Sequence, residues 1–418
     1  MLLENRIYYY DGSKGTIFIQ SGHEGFPEAL VLSNPDVVYD LVESYARVGC
    51  DFIQTNTFGA NGHSLLNNGL ANKQKEIITQ AMEIAKKAAA FREGCQVVFT
   101  IGSIGKLMKP MGDMDFDEAY NLFYSMAEYA FSAGARIFQL ETFTDLYEIK
   151  IATLALKDLS EKKDTKLTIF CSLAFEENGR TLMGNSPEDC ATLLTKLGVD
   201  CIGANCSFGA SKMVPIIERM ASCTNLPIMA KPNCGLPKNV EGKTVFEQNP
   251  MDFAKECVLL AKAGAKLIGG CCGTTQEHIE EMIKLLKEEE DLGNIPVERP
   301  FIEEEEVVYT SPLVCYHKEW DEESLYDLAY DILDDENQSV CIYGTDGKNI
   351  ANAVSILHTV LKKEVMIACN KANAYEEAIR RAPILPIIYL TNDFDRSEMD
   401  KIDKIVSKYG VKVIEGEL

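Results

Sequence analysis

The segment Ala133-Gly134-Ala135-Arg136-Ile137-Phe138 has the pattern of a junction between a helix and a strand. Its glycine follows an amphipathic run and precedes an apolar, β-branched one. This pattern predicts a helix that ends in a left-handed glycine cap and a strand that begins two residues later. The same junction recurs at 48–53, 197–202 and 263–268. The repetition indicates that helices and strands alternate along the chain.

Eight short strand-like runs follow this alternation from the amino terminus to about residue 288. We predict strands at 7–11, 51–56, 97–102, 136–141, 167–172, 201–206, 227–231 and 266–271. Amphipathic helices are predicted between them, for example at 36–48, 74–91, 117–132, 187–197 and 250–263. Eight strand–helix units in fewer than about 300 residues are typical of a (β/α)8 TIM barrel. A doubly wound open sheet is the alternative, but no G-x-G-x-x-G follows the first strand.

Composition changes after the last predicted helix. We place the barrel at 1–290, an acidic linker at 291–310 and a small α/β appendix at 311–418. The appendix has strand patterns near 340–343, 365–368 and 386–390 and helical patterns at 349–361 and 397–408. A solvated connector explains the acidic run better than a docking tail does. The appendix is expected either to dock a partner or to pack for stability.

The charge balance excludes some classes of partner. The 418 residues include 41 Lys and Arg against 64 Asp and Glu, a net charge of -23. Such a chain repels phosphate backbones, so we expect no nucleic-acid partner. No run of about 18 apolar residues is present and the first residues do not resemble a signal peptide, so we expect no membrane span and a cytoplasmic protein.

Cysteine is abundant, and most of the 14 lie in apolar, strand-like runs. We expect these to pack as small hydrophobic side chains in a reducing compartment. The residues that deserve a different interpretation are those at strand ends.

Polar and thiol residues follow the predicted strands. In a TIM barrel the chemistry occurs at the carboxyl ends of the strands. The residues found there include Asp11, Asn56, Ser103, Glu141, Ser172, Asn205, Cys206, Lys231, Cys271 and Cys272.

Three of these residues have the chemistry of metal ligands. Cys206 follows the sixth strand, and Cys271 and Cys272 follow the eighth, which only one strand separates from the sixth. Three thiolates with one open position suit a catalytic zinc ion. Two small buried residues are the alternative for the adjacent pair, but Cys206 at a nearby strand end favours the metal.

A zinc site of this kind would limit the chemical class of the substrate. A zinc ion with an open position can hold a thiol as its thiolate, which attacks an activated methyl group. Asp11 and Glu141 are candidates for binding an amino acid's ammonium group, and Ser172 with nearby backbone amides for its carboxylate. A turn-capping role for Asp11 and a rim ion pair for Glu141 are the alternatives.

These motifs together resemble a known family. Asp11-Gly12-x-x-Gly15-Thr16, Thr55-Asn56-Thr57-Phe58, Glu141-Thr142, Asn205-Cys206 and Gly270-Cys271-Cys272-Gly273-Thr274 resemble the homocysteine S-methyltransferase family. The segments 179–184 and 231–237 are most similar to the homocysteine-binding module of cobalamin-dependent methionine synthase. The resemblance covers about 5–288.

The resemblance implies a (β/α)8 barrel, zinc on Cys206, Cys271 and Cys272, and homocysteine as the methyl acceptor. It implies that Asp11 and Glu141 contact homocysteine and that Ser172 and Asn205 support them. Another thiol or a selenol is the alternative acceptor.

The sequence departs from the family pattern at a few positions. Cys234 stands where Ala is expected, and a packing role is favoured for it over a metal ligand. Ser13 and Lys14 replace a small and an apolar residue in the first motif, which is expected to alter the pocket mouth.

The methyl donor is expected to come from outside the chain. No Asp lies two residues before any of the five histidines, so the D-x-H-x-x-G corrinoid motif is missing. The part after residue 310 is also too short for a folate-binding barrel. We therefore expect the methyl group on a separate corrinoid protein or methylcobalamin, with betaine or S-methylmethionine as other donors. A non-catalytic thiol-binding or scaffold subunit is the rival hypothesis.

Overall fold

The predicted strands form one parallel sheet that closes into a barrel. The computed structural model describes residues 6–235, 238–240, 243–289, 292, 313–316, 322–333, 339–361, 364–392 and 394–416. The barrel strands are β1 (Tyr8–Tyr9), β2 (Phe52–Gln54), β3 (Gln96–Gly102), β4 (Ile137–Phe143), β5 (Thr168–Leu173), β6 (Cys201–Asn205), β7 (Ile228–Lys231) and β10 (Ala265–Ile268). A short antiparallel hairpin, β8 (Lys238–Val240) and β9 (Lys243–Val245), lies between β7 and β10 in the sequence.

The sheet order closes the barrel. The strands pair in the order β1-β10-β7-β6-β5-β4-β3-β2. A parallel bridge joins Tyr10 to Phe52, so β1 also meets β2. The Asp51 amide donates to the Tyr9 carbonyl at 2.7 Å, and the Asp11 amide donates to the Phe52 carbonyl at 3.2 Å. The (β/α)8 fold predicted from the sequence is confirmed.

Helices alternate with these strands. They are α1 (Gly15–Gln20), α2 (Leu30–Ser33), α3 (Pro35–Arg47), α4 (Gly62–Asn67), α5 (Gln74–Ala89), α6 (Phe116–Ser132), α7 (Leu146–Lys162), α8 (Pro187–Lys196), α9 (Ala210–Ala221), α10 (Pro250–Lys262) and α11 (Gln276–Glu288). In the part of the chain that the structure describes, no helix is long and apolar enough to cross a bilayer.

The repeated glycine junction has the predicted conformation. Gly49, Gly134, Gly198 and Gly264 have φ values of 107°, 96°, 69° and 107°. Glycine adopts positive φ without the steric cost that a Cβ imposes, so each helix can end there and the next strand can begin.

The barrel interior changes character along the strands. Near the amino ends, apolar side chains from every strand pack together: Tyr8, Tyr10, Phe52, Val98, Ile137, Phe170, Cys201, Met229 and Leu267. Two residues further along, the same faces carry polar side chains, because successive side chains of a strand alternate between its two faces. These are Gln54, Thr100, Gln139, Ser172 and Lys231, all buried. The polar layer lies immediately beneath the strand ends.

Most of the scattered cysteines pack as expected. Cys50, Cys171, Cys201, Cys257, Cys341 and Cys369 are fully buried, and Cys95 is partly exposed. Burial raises the pKa of the thiols of Cys50, Cys171, Cys201, Cys257 and Cys369, which keeps them neutral.

The carboxy-terminal part contains its own parallel sheet. Its elements are β11 (Leu313–Tyr316), α12 (Glu322–Leu333), β12 (Ser339–Tyr343), α13 (Gly347–Leu361), β13 (Val365–Ala368), α14 (Ala372–Arg381), β14 (Ile387–Leu390), α15 (Met399–Tyr409) and β15 (Val413–Glu415). The five strands pair in sequence order. β11, α12, α14 and β15 are additions to the predicted elements. The predicted linker at 291–310 lies outside the described residues except for Leu292.

Candidate active site

Three thiols converge at the carboxyl end of the barrel. Cys206 directly follows β6, and Cys271 and Cys272 follow β10 by three and four residues. Their sulfur atoms all lie within 4.8 Å of one another. The Cys206 and Cys272 sulfurs are 3.9 Å apart. A tetrahedral zinc ion with Zn–S bonds of about 2.3 Å would separate its sulfur ligands by about 3.8 Å. The donor set and its spacing therefore fit zinc.

The backbone around these thiols is strained and firmly held. Cys206 and Ser207 both have φ of 65°, in the left-handed region. For a residue with a Cβ, such a conformation costs about 1–3 kcal/mol and persists only where the surroundings enforce it. The Cys206 amide donates to the Lys231 carbonyl at 3.0 Å, and the Cys272 amide donates to Asn233 Oδ1 at 3.0 Å.

The thiols influence one another's ionisation. Hydrogen bonds from Cys271 and Cys272 lower the pKa of Cys206. The same hydrogen bonding to Cys206 raises the pKa of Cys271 and of Cys272. The hydrogen bonds among the three thiols thus favour one thiolate, at Cys206.

Asn205 connects the thiols to the next strand ends. Its Oδ1 accepts from the Thr142 amide at 3.0 Å and from Ser172 Oγ at 2.7 Å. Its Nδ2 donates to Thr142 Oγ1 at 2.6 Å and lies 3.7 Å from Cys271 Sγ. Thr142 is also left-handed, with φ of 59°. Asn205 therefore holds the strained residue Thr142 near the carboxyl end of β4 and also contacts a candidate metal ligand.

Ser172 belongs to the polar layer. It is fully buried, and its Oγ accepts from Gln139 Nε2 at 2.8 Å while donating to Asn205. Gln139 in turn accepts from the Tyr10 hydroxyl at 2.9 Å. Ser172 and Asn205 are thus hydrogen-bonded to other protein groups. This arrangement fits a supporting role at the site. Sequence reasoning missed Gln139, although its position two residues before Glu141 places both on the inner face of β4.

A pocket of about 250 Å³ opens beside the thiols. The three cysteines border it together with Lys14, Glu28, Glu141 and Lys231. This volume suits a small amino acid.

Asp11 is paired with Lys14. Lys14 Nζ lies 2.5 Å from Asp11 Oδ2, which also accepts from the Gln54 amide at 2.7 Å. Asp11 is fully buried, and its Oδ1 has no hydrogen-bond partner. The unusual Lys14 of the first motif therefore lines the pocket and compensates the charge of Asp11.

Glu141 is paired with a second lysine. Lys231 Nζ lies 2.6 Å from Glu141 Oε1, contacts Gln54 Oε1 and lies 4.6 Å from the centre of the Tyr10 ring. Burial opposes the charge of Lys231, but the attraction of Glu141 and Asp11 raises its pKa overall. The sequence analysis placed Lys231 at a strand end but assigned it no role. Its pairing depends on a contact between residues 90 positions apart.

Cys234 packs beside the site. It is 1% exposed and its thiol donates to the Gln248 carbonyl at 3.0 Å, with His278 Nε2 also 3.0 Å away. Burial raises the pKa of Cys234 to about 11. It lies outside the group of three thiols.

Comparisons with known proteins agree with the fold and with the motifs. The profile of the family described as Homocysteine S-methyltransferase matches residues 9–286. Methionine synthase of Mycobacterium leprae (strain TN) is 27% identical over 306 residues, which are 70% of this chain and 25% of the relative. Methionine synthase of Mycobacterium tuberculosis (strain ATCC 25618 / H37Rv) is 27% identical over 293 residues, 67% of this chain and 25% of the relative. The chain thus spans about a quarter of the length of these curated relatives.

The fold also resembles solved structures. The metallated homocysteine methyltransferase MmuM from Escherichia coli matches with a TM-score of 0.56 and 19% identity, covering 66% of this chain and 96% of that one. Its apo form matches with a TM-score of 0.53 and 18% identity, covering 67% and 96%.

Proposed function

The chain belongs to the homocysteine S-methyltransferase family, and we propose that it transfers a methyl group to the thiol of homocysteine, giving methionine, in a zinc-dependent reaction. The donor is a separate corrinoid protein or methylcobalamin, and the compartment is the cytoplasm, whose reducing conditions keep the site thiols free. The observation that carries this proposal is the cluster of three sulfurs on the wall of a pocket within the matched region.

Cys206, Cys271 and Cys272 would hold the zinc ion. Bound there, zinc would supply the positive charge that keeps an acceptor thiol ionised at neutral pH. Asn205 contacts Cys271 Sγ and holds the backbone of Thr142 near the end of β4. Loss of partners of this kind commonly lowers metal affinity about 10–100-fold.

The pocket would orient the amino-acid part of homocysteine. We propose that Asp11 and Glu141 provide the negative charge near its ammonium group. Each is already compensated by a lysine, partly exposed for Asp11 and buried for Glu141, which keeps the site neutral enough to admit a zwitterion. Lys14 and Lys231 can then attract the substrate carboxylate.

The reaction is a displacement at the methyl carbon. The acceptor sulfur forms a bond to carbon, the bond between carbon and the donor breaks, and its electron pair leaves with the donor. The proton of the thiol is released to solvent. Positioning of the sulfur in the pocket would provide much of the acceleration.

Turnover with purified components tests this function. The protein, loaded with zinc, is mixed with methylcobalamin and homocysteine, and methionine is measured. We expect methionine from the wild type and none above background from Cys272→Ala. Cys201→Ala, a buried cysteine of the apolar layer, should remain active. No methionine from the wild type at millimolar donor would contradict the proposal and favour the scaffold hypothesis.

A further inference from the structure

Two segments of the pocket wall are hydrogen-bonded to each other. We call residues 11–16, which follow β1, the Asp11 segment, and residues 270–274, which follow β10, the cysteine segment. Residues of both segments line the pocket. The Gly270 amide donates to the Asp11 carbonyl at 3.0 Å. A carboxylate proposed to lie near the substrate ammonium group and two proposed zinc ligands are therefore on segments that contact each other directly.

Thr274 joins the two segments through its side chain. It is fully buried. Its Oγ1 donates to the Cys271 carbonyl at 2.7 Å and accepts from the Ser13 amide at 3.1 Å. One hydroxyl group thus connects the backbone of a candidate zinc ligand to the backbone of the Asp11 segment.

Tyr45 holds the same two segments from helix α3. It is fully buried, and its hydroxyl donates to the Ser13 carbonyl at 2.6 Å and lies 3.3 Å from the Thr274 carbonyl. Removing a donor from a buried carbonyl costs free energy, because no water replaces it. The hydroxyl of Tyr45 therefore favours the observed separation of the two segments.

Two glycines allow these hydroxyl groups to approach the backbone. A Cβ at Gly12 would lie 2.9 Å from Thr274 Oγ1 and 2.9 Å from the Tyr45 hydroxyl oxygen. A Cβ at Gly270 would also collide with Thr274 Oγ1. Since glycine has no Cβ, it leaves the space that both hydroxyl groups need. Gly12 and Gly270 of the family motifs thus serve this junction.

We propose that Tyr45 and Thr274 are positioning residues that fix the separation of the Asp11 segment and the cysteine segment, and that this separation selects an amino-acid thiol over a simple thiol. The inference rests on the proposed function, in which the thiol of homocysteine binds at the metal site while its ammonium group lies near Asp11. A ligand that contacts both segments forms its second contact at a high effective concentration only if the segments are held at the matching separation. A ligand that contacts the cysteine segment alone gains nothing from it.

Calorimetric titration of the zinc-loaded protein with two thiols tests this role. Homocysteine has the thiol and the amino-acid part, whereas 2-mercaptoethanol has a thiol without ammonium or carboxylate groups. A phosphine keeps the protein reduced without adding a third thiol. Tyr45→Phe and Thr274→Val each remove one hydroxyl group and should raise the Kd of homocysteine about tenfold, which corresponds to about 1.4 kcal/mol. The Kd of 2-mercaptoethanol should stay within about twofold of the wild type, since this ligand does not bridge the segments.

Two control variants complete the design. Thr274→Ser keeps the hydroxyl group, so its homocysteine affinity should stay close to that of the wild type. Tyr39→Phe removes a hydroxyl group from the same helix α3, but this hydroxyl donates to Glu43 at 2.7 Å, so neither affinity should change. Thr274→Val provides the measurement if Tyr45→Phe does not fold.

The outcomes separate the two proposals. An unchanged Kd of homocysteine in folded, zinc-loaded Tyr45→Phe and Thr274→Val, or an equal loss for both thiols, would overturn the positioning role and leave the proposed function intact. A Thr274→Ser variant that binds homocysteine as weakly as Thr274→Val would also overturn it, because the hydroxyl group would then not be responsible. A zinc-loaded wild type that binds neither thiol would refute both proposals.

Discussion

The two ends of the barrel differ in how fully their buried carboxylates are hydrogen-bonded. At the amino end, Asp51 accepts hydrogen bonds from Arg6 at 3.1 Å, from Arg92 at 3.3 Å and from the Tyr9 amide at 2.9 Å. At the carboxyl end, Asp11 and Glu28 each leave one buried oxygen without a partner. The carboxylate at the amino end is therefore paired by the protein itself, whereas at the carboxyl end two buried carboxylate oxygens have no hydrogen-bond partner among the described residues.

Backbone strain follows the same division. Within the described residues, Thr142, Cys206 and Ser207 adopt positive φ at the carboxyl ends of β4 and β6, and Asp164 does so elsewhere. Strained residues persist where their neighbours over-determine them, and they cluster at functional sites. The paired charges at the amino end stabilise the fold. The strained residues at the carboxyl end lower the stability, but they hold the thiols and charges in fixed positions.

Asn205→Ala should have the largest effect and should act at the carboxyl end alone. It removes the clamp on Thr142 and the contact with Cys271, so zinc affinity should fall about 10–100-fold. Competition with a zinc chelator measures the affinity. An unchanged zinc affinity in a folded variant would show that the contacts of Asn205 do not contribute to zinc binding by the thiols.

Glu141→Ala should weaken homocysteine binding and leave zinc in place. The substitution removes a carboxylate next to the pocket, and we expect a loss of about tenfold or more in affinity. Titration calorimetry with zinc analysis of the same sample checks both parts. Normal homocysteine binding would show that Glu141 has no part in substrate recognition. The variant also leaves Lys231 without its counter-ion, so its folding is verified by circular dichroism.

Asp51→Asn should produce the opposite pattern. It weakens the pairing with Arg6 and Arg92, which are themselves partly exposed, so the free energy of unfolding should fall by about 1 kcal/mol. Zinc content and homocysteine affinity should not change. Urea unfolding measures the stability, and a loss of zinc affinity in this variant would contradict the division between the two ends.

A further expected effect is a pH dependence of the free energy of unfolding that arises near the end of β3. Burial raises the pKa of Glu148 from 4.5 to about 7, although Ser103 Oγ and the Ile104 amide donate to it. Because the folded state holds this proton more tightly than the unfolded chain, the associated stability is present below about pH 4.5 and is lost as pH rises through about 7. In urea titrations, Glu148→Gln should therefore lose less stability than the wild type between pH 5 and pH 7.5. An identical pH dependence would contradict this assignment.

Local patterns predicted the architecture well. Apolar periodicity located every barrel strand to within a few residues, and the glycine junctions predicted where four helices end. The additional elements of the carboxy-terminal sheet have weaker signals. β15 has only three residues, two of them exposed, and α14 is rich in charge. Short or highly polar segments acquire their structure from neighbours that the sequence does not identify.

Site residues could be predicted from the sequence where their position at the end of a strand was enough to identify them. The three cysteines were selected because they follow strands, and the structure brings their sulfurs together, while their role as ligands stays a prediction. The pairing of Lys14 with Asp11 and of Lys231 with Glu141, the clamp by Asn205 and the unpartnered Glu28 oxygen depend on distances between separate strands and loops. No pattern along the chain encodes those distances.

The zinc content of the purified protein shows whether the three thiols form a metal site. Wild type, Cys272→Ala and Cys201→Ala are purified identically under reducing conditions, reconstituted with zinc and measured by elemental analysis. We predict about one zinc per chain in the wild type and in Cys201→Ala, and almost none in Cys272→Ala, because the site requires three thiolates. A folded wild type that stays zinc-free, or a Cys272→Ala variant that retains its zinc, would contradict the account.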